Sequence, residues 1–178
     1  MSNVILYIAT SQDGFIADKN GDVNWLPQPN EATGEDCGYK DFYNRVDAIV
    51  MGSSSYEQIL GFGEWLWPGK PTYVFSSKPI DIQRPNVCSA GNNVGNFMGQ
   101  FQAENSGKNI WLLGGAKLVQ SFAVQGLIDE YIITIFPTIL KEGISLYLPY
   151  EGFDLVETKK YSGGILEGVF QKTYLKKV

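Results

Sequence analysis

The chain is 178 residues long, with 14 basic residues against 19 acidic ones and no histidine. A net charge of −5 argues against nucleic acid as a main partner, because phosphate backbones recruit basic surfaces. The missing histidine removes Ser-His-Asp and Cys-His nucleophiles and the commonest metal ligand, and two distant cysteines, Cys37 and Cys88, cannot build a four-ligand zinc site, so no metal centre is expected.

Val4 to Ala9 is apolar and β-branched and ends at the polar turn Ser11-Gln12-Asp13-Gly14, which predicts a buried strand. This first apolar run is too short for a signal-peptide core or a membrane span, so the expectation is a cytoplasmic protein with no membrane partner. Phe15-Ile16-Ala17 and a second turn at Asn20-Gly21 follow. A long irregular stretch then carries Trp25-Leu26-Pro27, and loops of that length are commonly functional. Asp36 to Val46 predicts a helix, with Tyr39, Phe42, Tyr43 and Val46 on one face.

Asp47 to Gly52 predicts a second strand, Ser53 to Leu60 a short helix and Thr72 to Ser76 a third strand. A short fourth strand is expected over Asn86 to Ser89 and a helix over Val94 to Ala103. Ile110 to Gly114 gives a fifth strand running into a helix that reaches Gln125. Ile128 to Phe136 gives a sixth, and Phe153 to Lys177 a hairpin around Ser162-Gly163-Gly164. Alternation of this kind implies one domain with a mostly parallel sheet between two helix layers and an antiparallel C-terminal edge.

Three strand ends carry polar or glycine residues suited to a nucleotide. Gly114-Gly115-Ala116-Lys117 delivers two glycines and a cation to a helix start, where free N–H groups can meet a phosphate; a plain tight turn with a solvated lysine is the other reading. Gly52-Ser53-Ser54-Ser55 opens a helix with three hydroxyls, which equally suits an N-cap. Ser76-Ser77-Lys78 ends the third strand, and could be no more than a polar loop. Ligands of open α/β sheets bind just beyond such carboxyl ends.

The order Asp13-Gly14-Phe15-Ile16-Ala17, Trp25-Leu26-Pro27, Val50-Met51-Gly52 with Tyr56-Glu57, Ser76-Ser77 and Gly114-Gly115-Ala116-Lys117 resembles the dihydrofolate reductase-like superfamily. The run from Ile135 to Gly143 is most similar to the C-terminal reductase domain of riboflavin-biosynthesis proteins. The resemblance implies a three-layer α-β-α fold with about eight strands and an NADPH-dependent reductase. It implies that Gly114, Gly115, Ala116 and Lys117 meet the cofactor diphosphate, with Gly52, Ser53, Ser54 and Ser55 on its other side and by the adenosine ribose. It further places Ser76, Ser77 and Lys78 near a 2′-phosphate, and Ala9, Ile16 and Ala17 against the nicotinamide. Ser53 stands where the family commonly has a basic residue.

For the substrate, folate-reductase spacing puts Asp36 at the position of the acid that holds a pterin ring, with Glu35 as its neighbour. Asp36 also reads as a first-turn helix acid. Thr134 occupies the place of a threonine that supports that acid, and it reads equally as an ordinary strand residue. Trp25 and Tyr39 are the candidate stacking partners of a flat heterocycle. The expected reaction is of the 5-amino-6-(5-phosphoribosylamino)uracil reductase type. A dihydrofolate reductase, with Arg45 reaching a glutamate tail, and a non-catalytic nucleotide-binding relative are the alternatives. The riboflavin-type domains tend to pair, so a homodimer is one reading, for which Phe62, Trp65 and Trp67 offer an aromatic edge; the sequence alone hardly specifies the oligomeric state.

Overall fold

The computed structural model describes residues 1–26 and 36–173. Among these residues ten strands occur, β1 (Asn3–Ser11), β2 (Phe15–Ala17), β3 (Ala48–Gly52), β4 (Thr72–Phe75), β5 (Val87–Gly91), β6 (Asn109–Gly114), β7 (Glu130–Phe136), β8 (Ile144–Ser145), β9 (Phe153–Lys160) and β10 (Leu166–Lys172). Four helices accompany them, α1 (Tyr39–Arg45), α2 (Ser53–Leu60), α3 (Val94–Glu104) and α4 (Ala116–Ala123). Eight strands form one sheet in the order β5-β4-β3-β6-β1-β7-β10-β9. Every neighbouring pair from β5 to β7 is parallel, and β10 runs antiparallel to both of its neighbours.

Alternation along each strand sorts side chains into two cores. Val4, Leu6, Val50, Ile110 and Leu112 face α3 and α4, packing on Phe97, Phe101, Val119 and Phe122. Ile5, Ile49, Met51 and Trp111 face α1 and α2, packing on Phe42, Tyr56 and Ile59. These are the two helix layers of a three-layer α/β sandwich.

α1 is shorter than its periodicity suggests. Cys37 at φ 49 and Gly38 at φ 76 are left-handed, so the helical backbone starts at Tyr39. Two very short strands, β2 and β8, pair outside the main sheet and have no counterpart among the predicted elements. The turn before β2 is built by Ser11, whose Oγ accepts from the Phe15 N–H at 2.9 Å and donates to Asp13 at 2.7 Å. Those contacts fold β2 back over β1. Trp67 is 5% exposed and donates its Nε1–H to the Tyr39 hydroxyl, so it belongs to the core and not to an aromatic surface edge.

Candidate functional site

A cleft of about 910 Å³ opens at the carboxyl ends of β4, β3, β6 and β1. Its floor at β6 is glycine: Gly114 sits at φ 133, outside the range of most side chains, and a Cβ on Gly52 would lie 3.7 Å from the Gly115 N. α2 and α4 both begin at this floor, capped by Gly52 and Gly115 with no side-chain hydrogen bond to their first turns. Two helix N-termini with unsatisfied N–H groups and partial positive charge therefore open on one cavity.

Gly52, Ser53, Ser54, Ser55, Gly114, Gly115, Ala116 and Lys117 all line the cleft. Ser76 and Ser77 line its β4 end beside Asn92, and Ala9, Ile16 and Ala17 its β1 and β2 end. Lys78 is exposed and is not among the lining residues; its backbone N–H donates to Ser76 Oγ at 3.1 Å. Among the described residues that line the cleft, Lys117 and Asp22 are the charged ones.

The substrate candidates are placed differently. Asp36 is exposed and away from the cleft lining, and its carboxylate accepts from the N–H groups of Gly38 at 3.0 Å and Lys40 at 3.1 Å. It holds the turn that leads into α1; the N-cap is Gly38 and the first-turn acid Asp41, so Asp36 is not the first-turn acid that the sequence suggests. Glu35 and Pro27 lie outside the described residues. Tyr39 packs against Tyr7, Tyr43 and Trp111 and accepts from Trp67, which makes it a core contact. Trp25 sits edge-on to Phe136 at 6.1 Å, its Nε1 buried and without a hydrogen-bond partner among the described residues. Arg45 is engaged with Glu130 at 2.7 Å.

Thr134 leads to a group that motif reading misses. It is buried, in register with Ala9 of β1 on one side and Glu167 of β10 on the other. Its Oγ1 donates to Glu167 Oε2 at 3.1 Å, and the Tyr161 hydroxyl donates to Oε1 at 3.3 Å. Glu167 is 2% exposed. Burial, and next the charge of Glu167, push the Tyr7 and Tyr161 phenols far above their usual range. Tyr7 itself lines the cleft, stacked on Phe42 at 4.1 Å. The signal available in the sequence is alternation: Glu167 falls two residues from Val169, at an inward position of a strand.

A parallel sheet with a glycine-floored cleft at its carboxyl ends and one antiparallel strand beside its last edge defines a dihydrofolate reductase-like α/β domain. The model of the RibD C-terminal domain matches residues 67–165, and the chain belongs to that family. Two Bacillus subtilis (strain 168) proteins of uncharacterised function are similar along most of their length. YwjB is 39% identical over 145 residues, spanning 80% of this chain and 81% of its own. YyaP is 31% identical over 186 residues, spanning 94% and 93%. Among solved structures, a protein from Shewanella sp. PV-4 assigned to riboflavin biosynthesis superposes with a TM-score of 0.83 at 27% identity, over 97% of this chain and 99% of that one. The Thermotoga maritima diaminohydroxyphosphoribosylaminopyrimidine deaminase/5-amino-6-(5-phosphoribosylamino)uracil reductase shares the fold, with a TM-score of 0.71 at 15% identity; the match covers 96% of this chain and 56% of that one. Among the described residues no helix is long and apolar enough to cross a membrane.

Proposed function

We propose that this protein is a reductase that binds NADPH in the cleft and delivers hydride to a ribosylamino-pyrimidine of the riboflavin-precursor type. The observation that carries this reading is the pair of helix N-termini, α2 and α4, that begin at two neighbouring glycines, Gly52 and Gly115, without a side-chain cap. Such a cradle suits a diphosphate, which needs close backbone approach and several N–H donors. Lys117 adds a mobile cation at the same place.

The other residues divide the remaining work. Ser76, Ser77 and Asn92 offer hydroxyl and amide groups for the adenosine end. Ala9, Ile16 and Ala17 give a small, apolar wall for a flat ring, and with Leu26 and Ile144 they keep water from the reacting end. The dihydronicotinamide supplies the hydride when bound. With Lys78 outside the lining and serine at position 53, selection for the 2′-phosphate is weak.

Fluorescence titration of the protein with NADPH and NADH tests the reading. Saturable binding of both, with NADPH favoured less than about tenfold (roughly 1.4 kcal/mol), is the expected result. Binding of neither would overturn it.

A further inference from the structure

Beyond the glycine floor the cleft follows one face of α2. Ser55, Gln58 and Ile59 share a stripe of that helix and Phe62 follows just past its end, so the lining passes from hydroxyl to amide to apolar. The facing wall is the turn after β2, where Asn20, Gly21 and Asp22 line the cleft and the Gly21 carbonyl is tied to Gln58 at 2.9 Å. Gln58 lies about 4.5 Å along the helix axis beyond Ser55, away from the diphosphate cradle. This is the end left for the acceptor once the cofactor is in place.

The charge at that end is negative. Asp22 is exposed, and its bonds to Asp18 are made by its backbone, which leaves the carboxylate to the cleft. Two cations stand beside lining residues, and both are engaged. Lys19, next to Asn20, pairs with Glu142 at 2.7 Å. Arg84 donates to the carbonyl of Gly63, next to Phe62, at 3.4 Å and to that of Gln83 at 3.1 Å. Lys40, Lys78 and Lys141 are exposed and outside the lining. The stretch 27–35, outside the described residues, contains Glu31 and Glu35 and no basic residue. Lys176 and Lys177, also outside them, follow β10 in the chain, and β10 ends at Lys172 beside Asp129, at the end of the sheet opposite the cleft.

A phosphomonoester brings a charge of about −1.5 to −2, and it leaves water only for cations or for several N–H donors. The helix N-termini and Lys117 offer these to the cofactor diphosphate, whereas the charged lining residue at the acceptor end is Asp22. An uncharged sugar suits the same wall, because the Asp22 carboxylate accepts hydroxyl protons and the Asn20 amide both donates and accepts. We propose that the acceptor is an unphosphorylated ribosylamino-pyrimidine, and that Asp22 is the residue that discriminates against its 5′-phosphate. The phosphoribosylamino form, named for the Thermotoga maritima structure, is the disfavoured one. This rests on reading the cleft as a reductase site, and it fixes which form of the acceptor that site takes.

The probes are 5-amino-6-(5-phosphoribosylamino)uracil and the same compound after phosphatase treatment. Oxidation of saturating NADPH by the full chain, followed by absorbance, gives kcat/KM for each. The unphosphorylated acceptor is expected to be favoured by at least about threefold, with the difference in KM and not in kcat. Raising the ionic strength should narrow the gap, since an exposed carboxylate is screened by salt. Asp22→Asn should bring the two acceptors within about twofold, and Asp22→Lys should reverse the preference. The salt dependence of the wild type decides the matter if neither variant folds. A wild type that favours the phosphorylated acceptor or does not distinguish the two, a ratio indifferent to salt and to both Asp22 variants, or reduction of neither compound overturns the proposal. A preference for phosphate that Arg84→Gln abolishes would overturn it and give the phosphate to Arg84. NADPH binding, titrated separately on the same protein, keeps the two readings apart. If NADPH binds, these outcomes sink the choice of acceptor alone; if it does not, the reductase reading falls as well.

Discussion

Gln58 of α2 donates its Nε2–H to the carbonyl of Gly21 at 2.9 Å, and both residues line the cleft. The contact ties a helix on one side to the turn that follows β2 on the other. That turn is itself stiffened by Asp18, whose Oδ1 accepts from the N–H groups of Asn20 and Asp22. Gln58→Ala removes one bond between neutral groups, worth about 0.5–1.5 kcal/mol. The NADPH dissociation rate, followed by stopped-flow fluorescence, should therefore rise roughly two- to tenfold. An unaltered rate would mean that the turn is held without Gln58.

Lys117 stands in the first turn of α4, beside the glycine floor. Lys117→Ala should weaken cofactor binding by about 1.5–3 kcal/mol, the scale of a hydrogen bond to a charged group. The loss should be equal for NADPH and NADH, since both carry the diphosphate. A loss confined to NADPH would move Lys117 to the 2′-phosphate.

Asp36 offers the opposite case. Its carboxylate is occupied by the Gly38 and Lys40 N–H groups, so Asp36→Ala should cost stability, about 0.5–2 kcal/mol, as the loss of a cap does. Asp36→Asn keeps one acceptor oxygen and turns an amide NH2 toward the other N–H, so it should cost part of that stability. Cofactor affinity and turnover should be unchanged in both. A large drop in turnover with Asp36→Asn would return the residue to the site.

What the sequence makes legible follows from what is local. Buried strands such as Ala48–Gly52 and Asn109–Gly114 are near-continuous apolar runs that end in glycine, and helices follow at once. The succession of strands and helices, and the glycines at the strand ends, can be read from that pattern; the order of strands in the sheet cannot. β2 and β8, of three and two residues, carry no periodicity, so their pairing is invisible without the fold. The Asp36 side chain depends on the left-handed backbone at Cys37 and Gly38, which residue type alone does not specify. Glu167 lies 33 positions from Thr134 in the chain and meets it only through strand pairing.

Alkaline pH tests the buried phenols. Burial, and next the neighbouring Tyr150, push the Tyr131 hydroxyl up from 10.0 to about 12, while in the unfolded chain it titrates normally. Between those values the unfolded state has lost a proton that the folded state keeps. Stability is therefore fully present below about pH 10 and falls as pH rises toward about 12. Tyr7 and Tyr161 add to the same slope. Tyr131→Phe keeps the stack on Phe153 at 4.2 Å and should make the decline shallower. Urea midpoints measured over that range provide the check, and identical slopes in wild type and variant would be incompatible with this account.

Gly143 precedes β8 where it crosses β2. A methyl group there would overlap the carbonyl of Ala17 and lie 3.2 Å from the Phe15 side chain, so the backbone must move. Ala17 and Ile144, on the two strands so displaced, both line the cleft. Gly143→Ala should destabilise by about 1–3 kcal/mol, the usual cost of overpacking. Because the displaced wall closes the end formed by Ala9, Ile16 and Ala17, NADPH affinity should fall with it. The adenosine end, formed by Ser76, Ser77 and Asn92, is left in place. Binding of 2′-phospho-AMP, which lacks the nicotinamide, should then match the wild type. A variant that loses both ligands to the same degree would show that Gly143 supports the whole cleft and not its reacting end.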